Sequence, residues 1–110
     1  MKVPNASRAI IAADKLTGYL LNLSHKRGGP KARLLLNAGY RADSPQSLES
    51  DLRVQHLSLD VTRTHPNAYG VVYEIEGPIK TPSGSIVRFC SVWQVDTGTD
   101  VPRLITMYPR

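Results

Sequence analysis

The stretch Tyr69-Gly70-Val71-Val72-Tyr73-Glu74-Ile75-Glu76 sets Val71, Tyr73 and Ile75 in alternation with Val72, Glu74 and Glu76. A period of two places successive side chains on opposite faces of a strand. Working outward, Pro82-Ser83-Gly84 reads as a hairpin-like turn, and Ser85 to Val95 as a longer strand antiparallel to the first. Thr97-Gly98-Thr99-Asp100 then turns the chain into a last strand, Arg103 to Tyr108. Upstream, Leu57, Leu59 and Val61 alternate with Ser58, Asp60 and Thr62, which predicts a half-buried strand closed by a turn at His65-Pro66-Asn67. Four antiparallel strands in sequence order make a meander.

The residues before them read as three short helices. Asp14 offers an N-cap, followed by Leu16, Tyr19 and Leu20 at i, i+3 and i+4 on one apolar face, with Gly18 as a weak point. Ala9-Ile10-Ile11 reads as a brief extended lead-in. Pro30 suits a first helical position and Gly39 the position past a helix end, bracketing Lys31 to Ala38 with Leu34, Leu35 and Leu36 for burial. Ser44-Pro45 repeats the start signal and predicts a third helix to about His56. The expected fold is α+β, with about three short N-terminal helices on one face of a four-stranded antiparallel sheet. At 110 residues the chain suits one domain over 1–110, with residues 1–8 as a flexible N-terminal tail.

Composition narrows the partner. The chain carries 14 Lys and Arg against 9 Asp and Glu, a net charge of +5. Residues 1–42 hold eight basic residues against Asp14 alone, a net +7; residues 43–110 hold six basic against eight acidic, a net −2. Such asymmetry can mark a surface for an anionic partner such as nucleic acid or phosphate. Solvated helices carry the same charges, so that alternative stays open. No apolar run spans a bilayer, and Met1-Lys2-Val3-Pro4-Asn5 lacks the apolar stretch of a signal peptide. No membrane partner is expected. A single Cys, Cys90, leaves no internal disulfide and reads as a small buried hydrophobe. His25, His56 and His65 have no partner at zinc-ligand spacing, and no cofactor is implied.

The densest chemistry lies in Ser24-His25-Lys26-Arg27-Gly28-Gly29-Pro30-Lys31-Ala32-Arg33. It joins one imidazole to a group of cations on glycine-rich backbone entering a helix N-terminus, an arrangement that favours anions. It lacks the spacing of a nucleotide-binding P-loop. A ribonuclease that uses no metal needs such a set: a base for the 2′-hydroxyl, cations for the phosphorane, an acid for the leaving oxygen. On the strands, Arg63 and His65 share a face, as do Thr106 and Tyr108. Arg88 sits mid-strand, where a charge either lines a cleft or pairs with Glu74 or Glu76.

The strings Lys15 to Asn22, Gly28-Gly29-Pro30-Lys31-Ala32-Arg33 and Pro102 to Pro109 resemble a small bacterial domain family found as free proteins, sometimes labelled adhesins, and in toxin-like contexts. The similarity runs from about Ala9 to Pro109 and takes in Tyr69, Tyr73, Gly77-Pro78, Thr81-Pro82 and Ser91-Val92-Trp93. Leu23 and Lys26 depart from it, standing where prolines are expected beside the histidine segment. At greater distance, the order of helices then strands and the closing Thr-x-Tyr resemble the barnase–EndoU–colicin–RelE group of ribonuclease toxins.

That resemblance implies RNA cleavage without metal. His25 would be general acid or base, Lys31 and Arg88 would stabilise the phosphorane, and Thr106 and Tyr108 would position the scissile phosphate. Lys26, Arg27, Arg33 and Ser91 would bind substrate. The implied partners are RNA and a cognate antitoxin or immunity protein. The implied location is the cytoplasm, either the producing cell's or that of a target cell receiving a toxin. The rival reading is a basic, non-catalytic module that binds nucleic acid or an acidic protein.

Overall fold

The computed structural model describes all residues, 1–110. Its elements follow the expected order. Helix α1 (Ala13–Lys15) runs directly into a π-helical turn (Leu16–Leu20), α2 spans Gly29–Asn37, and α3 (Gln46–Asp51) continues as a second π turn (Leu52–His56). Strands β1 (Arg63–Asn67), β2 (Gly70–Lys80), β3 (Ile86–Asp96) and β4 (Arg103–Pro109) form an antiparallel sheet in the order β1-β2-β3-β4.

Punctuation residues set the helix ends. Pro30 occupies the first turn of α2, and Gly39 leaves it at φ +101°, a conformation open to glycine at little cost. Ala12 rather than Asp14 holds the N-cap of α1, with no side-chain cap; Asp14 sits inside the first turn, where a negative charge suits the helix N-terminus. The following π turn lets Leu21 N–H reach back to Leu16 O at 2.8 Å, and it buries Leu16, Leu20 and Leu21 together.

Sheet packing does the rest. Ile75 and Ile79 of β2, Phe89 and Trp93 of β3, and Leu104 and Met107 of β4 join Leu16, Leu20, Leu35, Leu48 and Leu52 in one core. Leu104 and Met107 are both buried although three residues apart, because β4 carries a bulge: Thr106 pairs with Val92 and Leu104 with Trp93, leaving Ile105 extra. Ile10 forms a parallel bridge to Arg103, so the extended lead-in covers part of the β4 edge.

Two expectations need correction. Leu57 to Thr62 is not a strand; Leu57 leaves the second π turn, and Val61 N–H bonds to the Met1 carbonyl at 2.7 Å. Its alternation reflects an irregular segment lying on the core. The first strand is instead Arg63–Asn67, which takes in the expected turn His65-Pro66-Asn67, and every residue in it is exposed. Pro66 is tolerated there because β1 is an edge strand. The N-terminal segment expected to be a tail lies against the domain: Val3 is 2% exposed, and Ala6–Arg8 forms a 3-10 turn.

Candidate functional site

The β4 edge faces α1 and the loop between the first π turn and α2. Tyr19 comes from the π turn, Lys31 from the first turn of α2 and Thr106 from the residue after the β4 bulge. Their polar ends meet. Lys31 Nζ donates to Tyr19 OH at 2.5 Å and to Thr106 Oγ1 at 2.9 Å, while the two hydroxyls lie 3.2 Å apart. The Lys31 and Lys15 ammoniums also stand 5.0 and 5.7 Å from the Tyr19 ring centroid, within cation–π range.

A groove of about 580 Å³ opens beside this cluster, lined by Asp14, Lys15, Tyr19, His25, Arg27 and Thr106 among others. Burial pushes the Tyr19 phenol upward in pKa, but the Lys31 and Thr106 hydrogen bonds and the charges of Lys31 and Lys15 outweigh it. The net result is a phenol below its ordinary value.

The loop closes tightly around Tyr19. His25 Nδ1 accepts from Arg27 N–H at 3.1 Å and from Gly28 N–H at 2.9 Å. Its ring meets Tyr19 edge-on, with centroids 4.8 Å apart. A Cβ on Gly28 would fall 2.6 Å from Tyr19 O, so only glycine permits this approach. The anion cradle expected of the Gly28-Gly29 backbone is not open, because Gly28 N–H donates to the His25 imidazole and Gly29 N–H to the His25 carbonyl at 2.9 Å.

Charge is placed as selectively as the hydroxyls. Of the 14 Lys and Arg, seven form ion pairs, all outside residues 9–40. The seven with none are Lys15, Lys26, Arg27, Lys31, Arg33, Lys80 and Arg88. Five of those lie within residues 15–33; Lys15 and Arg27 line the groove and Lys31 stands beside it, against Asp14 as its one carboxylate, which leaves a net positive field.

The structure therefore brings His25, Arg27 and Thr106 to one groove and Lys31 beside it on Thr106, with Lys26 and Arg33 exposed on the same basic segment. Tyr108 lies two residues further along β4, beside Cys90 and Glu74; the Cys90 thiol, burial and that carboxylate push its phenol up to about 12. Arg88 is four residues along β3 from Val92, the partner of Thr106, or about 13 Å at the usual strand rise. Its alternative expectation, pairing with Glu74 or Glu76, is also unmet, since those carboxylates engage Arg63, His65 and Arg110.

Ser91 has no exposed surface to offer a substrate. It belongs to a buried chain in which Trp93 Nε1–H donates to Ser91 Oγ at 2.9 Å, and Ser91 Oγ lies 2.6 Å from His56 Nδ1. His56 Nε2 sits 3.0 Å from the Gly77 carbonyl, which can only accept, so the ring proton is on Nε2 and Ser91 donates to Nδ1. Cys90 is buried as expected, with its thiol pKa raised by that burial.

Sequence reading missed Tyr19 as a site residue by assigning it to an apolar helix face. The available signal was chemical: a tyrosine among leucines brings a hydroxyl that must find a partner. No group of three or more His, Cys, Asp or Glu side chains gathers to hold a metal ion, and no helix is long and apolar enough to cross a membrane.

The chain belongs to the family described as a domain of unknown function (DUF6883), which matches residues 2–110. No curated protein matches it in sequence. Among solved structures, a chain of a contact-dependent growth inhibition toxin–immunity protein complex from Klebsiella pneumoniae 342 is similar in fold. The TM-score is 0.71 at 18% identity, over 92% of this chain and 99% of that chain. A likeness at that identity concerns the fold alone.

Proposed function

We propose that this member of the DUF6883 family is a toxin-like domain that cleaves RNA with side-chain acid–base chemistry and cationic stabilisation, without a metal. One observation carries the reading: Lys31, Thr106 and Tyr19 converge beside a groove lined by Lys15 and Arg27, and none of these three cations forms an ion pair. Outside residues 9–40 seven of the nine Lys and Arg side chains form ion pairs, whereas none of the five within does, so this positive field is open to an external anion. A phosphodiester seated there meets the Lys31 ammonium and the Thr106 hydroxyl, which orient it and offset the charge that builds on the phosphorane. Lys26, Arg27 and Arg33 hold the flanking phosphates. A strand continuing along β4 passes Tyr108 and then approaches Arg88 on the same side of the sheet by register.

The fold likeness to a chain of a toxin–immunity protein complex fits this reading and suggests the partner class. A cognate immunity protein with an acidic surface would cover the groove by charge complementarity. Induced expression in a bacterial host tests the activity: growth arrest with fragmented RNA for the parent chain, and normal growth with Lys31→Ala, are expected. Normal growth and intact RNA with well-folded parent protein would contradict it. Salt-sensitive RNA binding with chemically unchanged RNA would instead identify a non-catalytic binding module.

A further inference from the structure

Resting on that RNA-cleavage reading, we propose that Tyr19 rather than His25 moves the proton in the groove, and that His25 is the positioning residue that shapes the loop around it. A general base must offer a free lone pair to the hydroxyl it activates. His25 has none to offer. Two backbone N–H groups, those of Arg27 and Gly28, converge on Nδ1, so the ring proton resides on Nε2. Accepting bonds from residues two and three ahead is what an Asn or Asp side chain does when it caps a turn. The imidazole fills that role here and braces the Tyr19 ring with its edge.

Tyr19 has the surroundings His25 lacks. Lys31 faces it from α2, Thr106 from β4, Lys15 from α1, and His25 from the loop, with Arg27 also lining the groove. Asp14 is the sole carboxylate lining the groove. The cations favour the phenolate, in line with the lowered pKa of the phenol. In the step, the Tyr19 phenolate takes the proton of the ribose 2′-hydroxyl as that oxygen bonds to phosphorus. The bond from phosphorus to the 5′-oxygen breaks, and the leaving oxygen takes a proton from the Lys31 ammonium. The products are a 2′,3′-cyclic phosphate and a 5′-hydroxyl, with no change of oxidation state. Tyr19 then returns its proton to the Lys31 amine across their 2.5 Å hydrogen bond, which restores the pair.

Cleavage of one labelled RNA is compared across pH for the parent, Tyr19→Phe, His25→Asn and His25→Ala, each checked for folding by circular dichroism. Asn can place its amide oxygen where Nδ1 sits and keep the clasp. Tyr19→Phe is expected to lose about 100-fold or more together with the rise of rate toward alkaline pH, whereas His25→Asn stays within about tenfold and keeps that rise. His25→Ala should fall further and speed deuterium exchange at the Arg27 and Gly28 amides. Should Tyr19→Phe misfold, near-ultraviolet absorbance of the parent supplies the second readout: one phenol ionising ahead of the other four of the five tyrosines supports the assignment. No phenol ionising below the ordinary tyrosine range would overturn it, as would full activity in Tyr19→Phe with none in His25→Asn. A parent chain that cleaves no RNA at any pH refutes the underlying reading instead. The amide exchange at Arg27 and Gly28 then still decides the clasp.

Discussion

Lys31 Nζ lies 2.5 Å from the Tyr19 oxygen and 2.9 Å from Thr106 Oγ1, so one ammonium joins α2, the first π turn and β4. Three elements distant in sequence meet at one charge, and that charge has no carboxylate to neutralise it.

Removing it should separate function from folding. Lys31→Ala is expected to lower RNA cleavage by about 100- to 1,000-fold, the scale seen when one stabilising donor is deleted. Lys31 is only half-buried, so the melting temperature should change little. Steady-state cleavage and a thermal melt on the same preparation check both halves.

Gly28→Ala should act through packing. The added methyl would stand 2.6 Å from Tyr19 O and 2.9 Å from Tyr19 Cδ1, and the backbone oxygen cannot turn aside. A loss of about 1–3 kcal/mol, typical of overpacking, is expected, together with weaker cleavage as Tyr19 shifts. Gly29→Ala, whose Cβ would lie 3.0 Å from Leu23 O, should be milder. Denaturant unfolding of both variants checks the order.

The buried chain Trp93–Ser91–His56 makes stability depend on pH. Burial lowers the His56 pKa, outweighing the opposing bond to the Gly77 carbonyl. The unfolded chain therefore binds the proton more readily, and stability present at neutral pH is lost as pH falls below about 6.5, the ordinary histidine value. Ser91→Ala leaves Trp93 Nε1–H and His56 Nδ1 without each other's bridge and should cost about 1–3 kcal/mol. Melting temperatures from pH 7 downward, for the parent and His56→Gln, test this: the variant's curve should be flatter in the region where histidines titrate.

Five unpaired cations around the groove predict a steep salt response. If each meets one phosphate of single-stranded RNA, log affinity against log salt should have a slope near −3.5, at about −0.7 per contact. In a cleavage-deficient Tyr19→Phe background, Lys26→Ala should flatten that slope by about 0.7. Lys2→Ala, whose parent side chain pairs with Asp60, should leave it unchanged. Fluorescence anisotropy over a salt series reads all three.

Much of the fold could be read from local rules. Pro30 and Gly39 bracket α2, Pro82-Ser83-Gly84 closes the β2–β3 hairpin, and alternation in Tyr69 to Glu76 places Ile75 in the core. β1 escaped because each of its residues is exposed and Pro66 sits within it, so neither burial nor composition advertised a strand. Leu57 to Val61 misled for the opposite reason: alternation reports half-burial, not a hydrogen-bonded neighbour. At the site, charge density singled out the loop holding His25 and Lys31, and the structure sets that loop beside Thr106. The role of Tyr19 depends on the Ile105 bulge and on a contact across 87 residues, neither of which has a local signature.

The central claim is that this groove cleaves RNA by using its 2′-hydroxyl. The most direct measurement incubates the parent chain and Lys31→Ala, in EDTA, with a labelled RNA and with the same sequence made all 2′-deoxy. Cleavage of the RNA alone, by the parent alone, leaving 2′,3′-cyclic phosphate ends, is the predicted result. An intact RNA, or equal cleavage by Lys31→Ala, would contradict it.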